Sequence, residues 1–143
     1  MLARLAEKSW WSCDSEKTIA GDQGESSRPD LICTKNGQGA KVLDVTIVSE
    51  RHSQCLELAY RAKMQIYKLL RRLLERQLQT TQLDIQGFPV GARGKWFPHN
   101  TLVLESQKVH NVRRAAIQIS KMTLLMSLYM IGAFTREASD DAP

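Results

Sequence analysis

Arg28-Pro29-Asp30-Leu31-Ile32-Cys33-Thr34-Lys35-Asn36-Gly37-Gln38-Gly39-Ala40-Lys41-Val42-Leu43-Asp44-Val45-Thr46-Ile47-Val48 reads as two strands folded back on each other. Asn36-Gly37-Gln38-Gly39 supplies residues that accept the positive φ angles of tight hairpins. Pro29 disfavours helix before Asp30, so one strand runs over about 30–35 and its partner over about 41–48. With pairing centred near Gly37, residue numbers across the ladder sum to about 74 or 75, so Asp30 faces Asp44 or its neighbour, with Cβ atoms about 4.5–5.5 Å apart. Asp44 interrupts a run that otherwise reads as a strand buried on both faces, and a carboxylate there needs a partner or a cation. Like charges that close repel, and a divalent cation with hard oxygen ligands turns repulsion into coordination. Backbone donors or an arginine are the other way to satisfy a buried aspartate.

Ser49 and Ser53 are N-cap candidates for a long helix reaching about Leu78. Leu56, Ala59, Tyr60, Ile66, Tyr67, Leu70, Leu73 and Leu74 form its apolar stripe, with Arg61, Lys68, Arg71, Arg72 and Arg76 largely off it. Lys63 and Tyr67 are spaced i, i+4 and share a face, with Tyr60 one turn before. A helix packing back across the strand of Asp44 brings that lysine and tyrosine to the carboxylates. Such a set suits phosphodiester hydrolysis, with Mg²⁺ or Mn²⁺ held by the acids and lysine orienting water or neutralising charge on the phosphorane.

Before the hairpin, residues 2–9 read as a short helix, 10–19 as an irregular strand and 21–27 as a turn-rich loop. After the long helix comes a strand over about 83–92, broken by Gly87 and Pro89. A helix opened by Pro98 then spans about 100–107, a last helix spans about 112–134, and an acidic frayed tail occupies 136–143. The pattern is one α/β domain over residues 1–135, a small sheet with helices packed on it.

The chain has 143 residues and a formal net charge of +5, with a pI of about 9.3. Residues 51–76 carry seven basic side chains against two acidic ones, which is either a polyanion face or a solvated helix surface. Cys13, Cys33 and Cys55 are odd in number and lie far apart. They indicate neither a zinc knuckle nor a disulfide framework, and fit a reduced intracellular compartment. The uncharged apolar run 122–134 is shorter than the roughly 20 residues of a bilayer span and reads as a buried core helix, so no membrane partner is expected.

Arg-Pro-Asp at 28–30, Asp44 in its Val-Leu-Asp-Val-Thr-Ile strand, and Ala59-Tyr60-Arg61-Ala62-Lys63-Met64-Gln65-Ile66-Tyr67 together resemble a known domain. It is the restriction-like endonuclease domain at the C-terminus of site-specific non-LTR retrotransposon polyproteins, a branch of the PD-(D/E)xK nucleases. Val90-Gly91-Ala92-Arg93-Gly94-Lys95-Trp96, followed by Pro98 and Asn100, is similar to that family's next strand, and the likeness extends over about residues 9–135. It implies a small restriction-endonuclease-like mixed sheet flanked by helices. Asp30 and Asp44 match its metal-binding acids, Lys63 its catalytic lysine, Tyr67 the tyrosine one turn on, and Glu16 an acid before the first motif. Thr46 stands where the wider superfamily has its lysine, which this branch carries on the following helix.

The resemblance further implies a nuclear, strand-nicking DNA endonuclease that uses Mg²⁺ or Mn²⁺ and no small-molecule cofactor, and works with a reverse transcriptase. Neither the reverse transcriptase nor the preceding CCHC knuckle is in this chain, which reads as a fragment or stand-alone relic. A relic that binds nucleic acid without cutting is the alternative, and a small protein whose leucine-rich helix binds a partner is a third. Expected contacts to double-stranded DNA come from Arg61, Lys68, Arg71 and Arg72, from Arg93 and Lys95 beside the site, and from Lys108, Arg113 and Arg114. Trp96 reads as a core anchor before a stacking platform. His99-Asn100 lacks the second histidine of a His-Asn nuclease motif, and Gly91-x-x-Gly94-Lys95 lacks the spacing of a P-loop.

Overall fold

A computed structural model describes residues 12–140. The expected helix at 2–9 lies outside them, as do Trp10, Trp11 and the last three residues. The hairpin forms in the register whose numbers sum to 74: β4 (Leu31–Lys35) and β5 (Gly39–Val48) pair antiparallel, Leu31 opposite Leu43 and Lys35 opposite Gly39. Gly37 and Gly39 take φ values of 74° and 84°, the left-handed region that glycine enters without steric cost.

Two further strands complete a mixed sheet in the order β1-β4-β5-β6. β1 (Ser12–Ser15) pairs antiparallel with β4, and β6 (Leu83–Gly91) runs parallel to β5. A parallel neighbour requires a crossover, and α1 (Cys55–Gln77) provides it. β2 (Ile19–Ala20) and β3 (Ser26–Ser27) pair as a small hairpin, whose second strand falls in the stretch 21–27 expected to be loop. α2 (His99–Ser106) and α3 (Val112–Asp140) follow. The protein is thus an α/β fold, a mixed sheet flanked by three helices among the described residues.

Both faces of the sheet are covered, as the unbroken apolar run of β5 requires. On one face Ile32, Val42 and Ile85 pack with Tyr67, Leu73 and Leu74 of α1 and with Ile19. On the other, Leu31, Leu43, Phe88 and Val90 pack with Val103 and Leu104 of α2 and Ala115 and Ile119 of α3. Phe88 is fully buried, a placement that contributes about 1.5–3 kcal/mol relative to exposure.

Several sequence expectations need correction. β6 passes through Gly87 and Pro89 without a break. The Pro89 carbonyl accepts a hydrogen bond from Asn100 Nδ2 at 2.8 Å rather than from β5, so the side of β6 that lacks the proline N–H is its outer edge, where proline is tolerated. α1 starts at Cys55 after Gln54, with no side-chain cap from either serine, and Ile66 of its predicted stripe is half exposed. Cys13 and Cys33 form a disulfide, because β1 pairs with β4 in a register that sets the two cysteines opposite each other, a long-range pairing invisible in their spacing. Cys55 is the free cysteine among the described residues.

The last helix departs most from expectation. It continues as α3 through Asp140 instead of fraying near 136, and its apolar run is not core: Leu125, Met126, Leu128, Tyr129, Met130 and Ile131 are each more than half exposed. By length and composition Val112–Ala133 is long and apolar enough to cross a membrane, whereas Ala115 and Ile119 of that same stretch are buried in the domain core.

Candidate active site

Asp30 directly precedes β4, and continuing the ladder by one step sets it opposite Asp44 of β5. Its Oδ2 accepts a hydrogen bond from the Val45 N–H at 2.6 Å, which fixes the carboxylate across the strand gap. Asp44 shares a face with Val42 two residues before it, the face that α1 crosses, and is 7% exposed. From α1, Lys63 Nζ and the Tyr67 hydroxyl each donate to Asp44 Oδ2 at 2.9 Å. The i, i+4 spacing thus delivers both groups to one oxygen.

Gly87 makes this approach possible. It pairs with Asp44 in the parallel register, and a Cβ there would lie 3.3 Å from the Tyr60 ring and 3.5 Å from Lys63 Cβ. A glycine inside a strand often marks such a close approach. Without it α1 would stand off the sheet, and the reach of Lys63 to Asp44 would lengthen.

Burial raises the pKa of Asp30, and its hydrogen bond and like charge with Asp44 raise it further, against the Val45 N–H and Lys63, which lower it. Burial foremost also holds the Tyr67 hydroxyl well above the ordinary phenol range, so it is a neutral donor. Lys63, with a side chain one-third exposed, is the charged member that also meets solvent.

The donor set fits a hard divalent cation. Asp30 and Asp44 face each other across the strand gap, and a divalent cation between them would add to Lys63 in offsetting the repulsion of two carboxylates. Thr46, two residues on from Asp44 and on the same face, carries a buried hydroxyl with no hydrogen-bond partner, suited to a water ligand of such a cation. Among the described residues no three His, Cys, Asp or Glu side chains cluster as a metal group. The protein would therefore supply two acids and leave the other positions to water and phosphate, a habit of Mg²⁺.

The remaining predicted residues are dispersed. Glu16 lies beside Asp30, its backbone N–H donating to the Asp30 carbonyl at 3.1 Å, while its carboxylate binds Arg28 at 2.6 Å on the exposed surface. Arg61 pairs with Glu57 at 2.7 Å, and Arg71 is tied to Glu75 at 3.0 Å and to the Leu83 carbonyl at 2.7 Å, fastening α1 to β6. Arg93 bonds Glu50 through its backbone N–H and its guanidinium. Lys68, Arg72 and Lys95 are exposed. Trp96 is an anchor in part, edge-on to Phe88 at 5.6 Å and donating from Nε1 to Thr101 Oγ1 at 3.1 Å.

Sequence reasoning missed a polar chain beside Lys63. His99 Nε2 lies 3.0 Å from Gln86 Oε1 and 3.3 Å from the Tyr60 hydroxyl, and Gln86 Nε2 donates to Asp84 at 2.9 Å. These residues come from three elements and have no spacing to betray them. Gly87 alone gave a signal, as a glycine in a strand pattern. The chain matches no family model and no curated protein.

Proposed function

We propose that this protein is a metal-dependent DNA endonuclease of the restriction-like type. The observation that carries the reading is the meeting of Asp30, Asp44, Lys63 and Tyr67 at one point of the sheet, with Lys63 and Tyr67 on the same oxygen of a buried carboxylate. A Mg²⁺ or Mn²⁺ ion bound there would polarise the phosphate and acidify a water. Asp30 and Asp44 would hold the ion, and the Val45 N–H fixes the Asp30 carboxylate across the strand gap. Tyr67 fixes the Asp44 carboxylate, leaving Lys63 to orient the attacking water and to offset charge gathering on the phosphate oxygens. The water loses a proton to solvent as its oxygen bonds to phosphorus, the bond to the leaving deoxyribose oxygen breaks, and that oxygen takes up a proton from solvent.

The resemblance to retrotransposon endonuclease domains supports double-stranded DNA as substrate, a reverse transcriptase as working partner and the nucleus as the place of action. The test is incubation of the purified chain with supercoiled plasmid, with Mg²⁺, with Mn²⁺ and with chelator. Metal-dependent nicking that is lost in Asp44→Asn is the expected result. DNA binding without nicking in either metal would replace this reading with that of a relic that binds but does not cut.

A further inference from the structure

We propose that the cleft between the loop at residues 91–96 and the first turns of α3 seats the phosphodiester backbone of duplex DNA, held by Lys95, Arg113 and Lys121 over Trp96. The inference deepens the nuclease reading, naming where its substrate lies, and rests on that reading for the choice of DNA.

The distribution of ion pairs points there. Arg61 and Arg71 of α1, and Arg93 beside the cleft, each have an acid partner, so, among the described residues, half of the four cations expected to track DNA along α1 are compensated, and Lys68 and Arg72 are not. Lys95, Arg113 and Lys121 are exposed and form no ion pair among the described residues. The sequence carries no acid between Glu105 and Glu137, so the first part of α3 is cationic without relief. An uncompensated cationic surface attracts a polyanion and releases its counterions.

The surface is also shaped. A cleft of about 440 Å³ is walled by Trp96, Arg113, Ala116, Ile117, Ser120 and Lys121. Arg113 and Lys121 are eight residues apart, about 12 Å along a helix at 1.5 Å per residue, which spans three to four steps of one DNA strand at about 3.4 Å each. The floor is rigid, because Phe88 and Thr101 hold the Trp96 indole. The loop is seated as well: Gly94 has φ of 86°, and a Cβ there would come within 3.0 Å of the Ser120 carbonyl. The Gly91 N–H bonds the Lys95 carbonyl at 2.9 Å, closing the turn that displays Lys95. Continuity with the acids comes through α3, since Met122, next to Lys121, lines a groove together with Asp30.

The experiment measures binding of the full chain to a labelled mixed-sequence duplex in EDTA, so that cutting plays no part, over a series of salt concentrations. Lys95→Gln/Arg113→Gln/Lys121→Gln should flatten the slope of log affinity against log salt by about 2.7, three contacts at about 0.9 each, with unchanged circular dichroism and thermal midpoint. Arg61→Gln/Lys68→Gln/Arg72→Gln on α1 should leave most of the slope intact. The proposal is overturned if the first variant keeps the wild-type slope, if the α1 variant takes the loss instead, or if the first variant loses binding to anionic phosphatidylserine vesicles while keeping its affinity for DNA. If the first variant flattens the slope as expected while the wild-type chain never nicks plasmid, this surface is upheld and the nuclease reading alone is rejected.

Discussion

Removing the Tyr67 hydroxyl tests its bond to the buried acid of the site. Tyr67 is 3% exposed, and its hydroxyl donates to Asp44 Oδ2 at 2.9 Å. Tyr67→Phe keeps the ring, and the main loss is the hydrogen bond to the Asp44 carboxylate, about 1.5–3 kcal/mol, together with the contact to the Ser27 side chain. Lys63 still donates to the same oxygen, which places the cost near the lower end, about 1.5–2 kcal/mol. With an unfolding entropy of about 2.1 cal/mol/K per residue, a chain of this length loses about 3.3 °C per kcal/mol, so the midpoint should fall by about 5–7 °C. Thermal unfolding by calorimetry in EDTA reads it, and urea titration should move the midpoint without altering m. A fall below about 0.5 kcal/mol would show that the hydroxyl is not bound to a charged carboxylate. Nicking by the variant should stay within about tenfold of wild type, since the Tyr67 hydroxyl is spent on Asp44 and in the proposed mechanism acts by positioning it.

Asp30→Asn and Asp44→Asn should each abolish nicking and also abolish the stabilisation that Mn²⁺ gives the wild type, about 2.7 kcal/mol at a hundred times its Kd, read as a thermal shift. Lys63→Met should slow nicking by about 10²–10³ while leaving the metal titration in place, and an unchanged rate would return Lys63 to an ordinary ion pair. Gly87→Val, which presses on Tyr60 and Lys63, should cost about 1–3 kcal/mol in urea unfolding and lower nicking with it, whereas Gly87→Ala should be milder on both counts. Reduction of Cys13–Cys33, whose sequence separation is 20, should lower stability by about 3 kcal/mol relative to the oxidised chain, as read by urea titration with and without dithiothreitol.

The hairpin and its two aspartates were legible because every cue was local: a proline, an Asn-Gly turn, and an acid in an apolar run. The pairing of Lys63 and Tyr67 followed from helical periodicity. Features set by chain segments far apart were not legible. The disulfide depends on β1 lying beside β4, the unbroken course of β6 on its outer side being free of a ladder, and the His99 chain on α2 meeting α1 and β6. The ion pairs were not legible for a related reason: composition counts cations but not the acids that the fold sets beside them, here Glu57, Glu75 and Glu50 next to Arg61, Arg71 and Arg93. The apolar run of α3 was read as core by its composition, whereas the domain has room against the sheet only for the turns around Ala115 and Ile119.

The parallel pairing of β5 with β6 sets an order of assembly. The β4–β5 hairpin is short-range and brings Asp30 and Asp44 together by itself, on the timescale of hairpin closure. Lys63 reaches Asp44 through a helix that settles where Gly87 leaves space, so the lysine arrives only after β6 has crossed back, a non-local step slowed by the entropy of closing the whole crossover. Refolding therefore passes through a stage in which the two acids already face each other and the lysine does not. In a time course from urea, recovery of cutting should trail the appearance of the hairpin, and a nascent chain still short of β6 holds the acids without the means to use them.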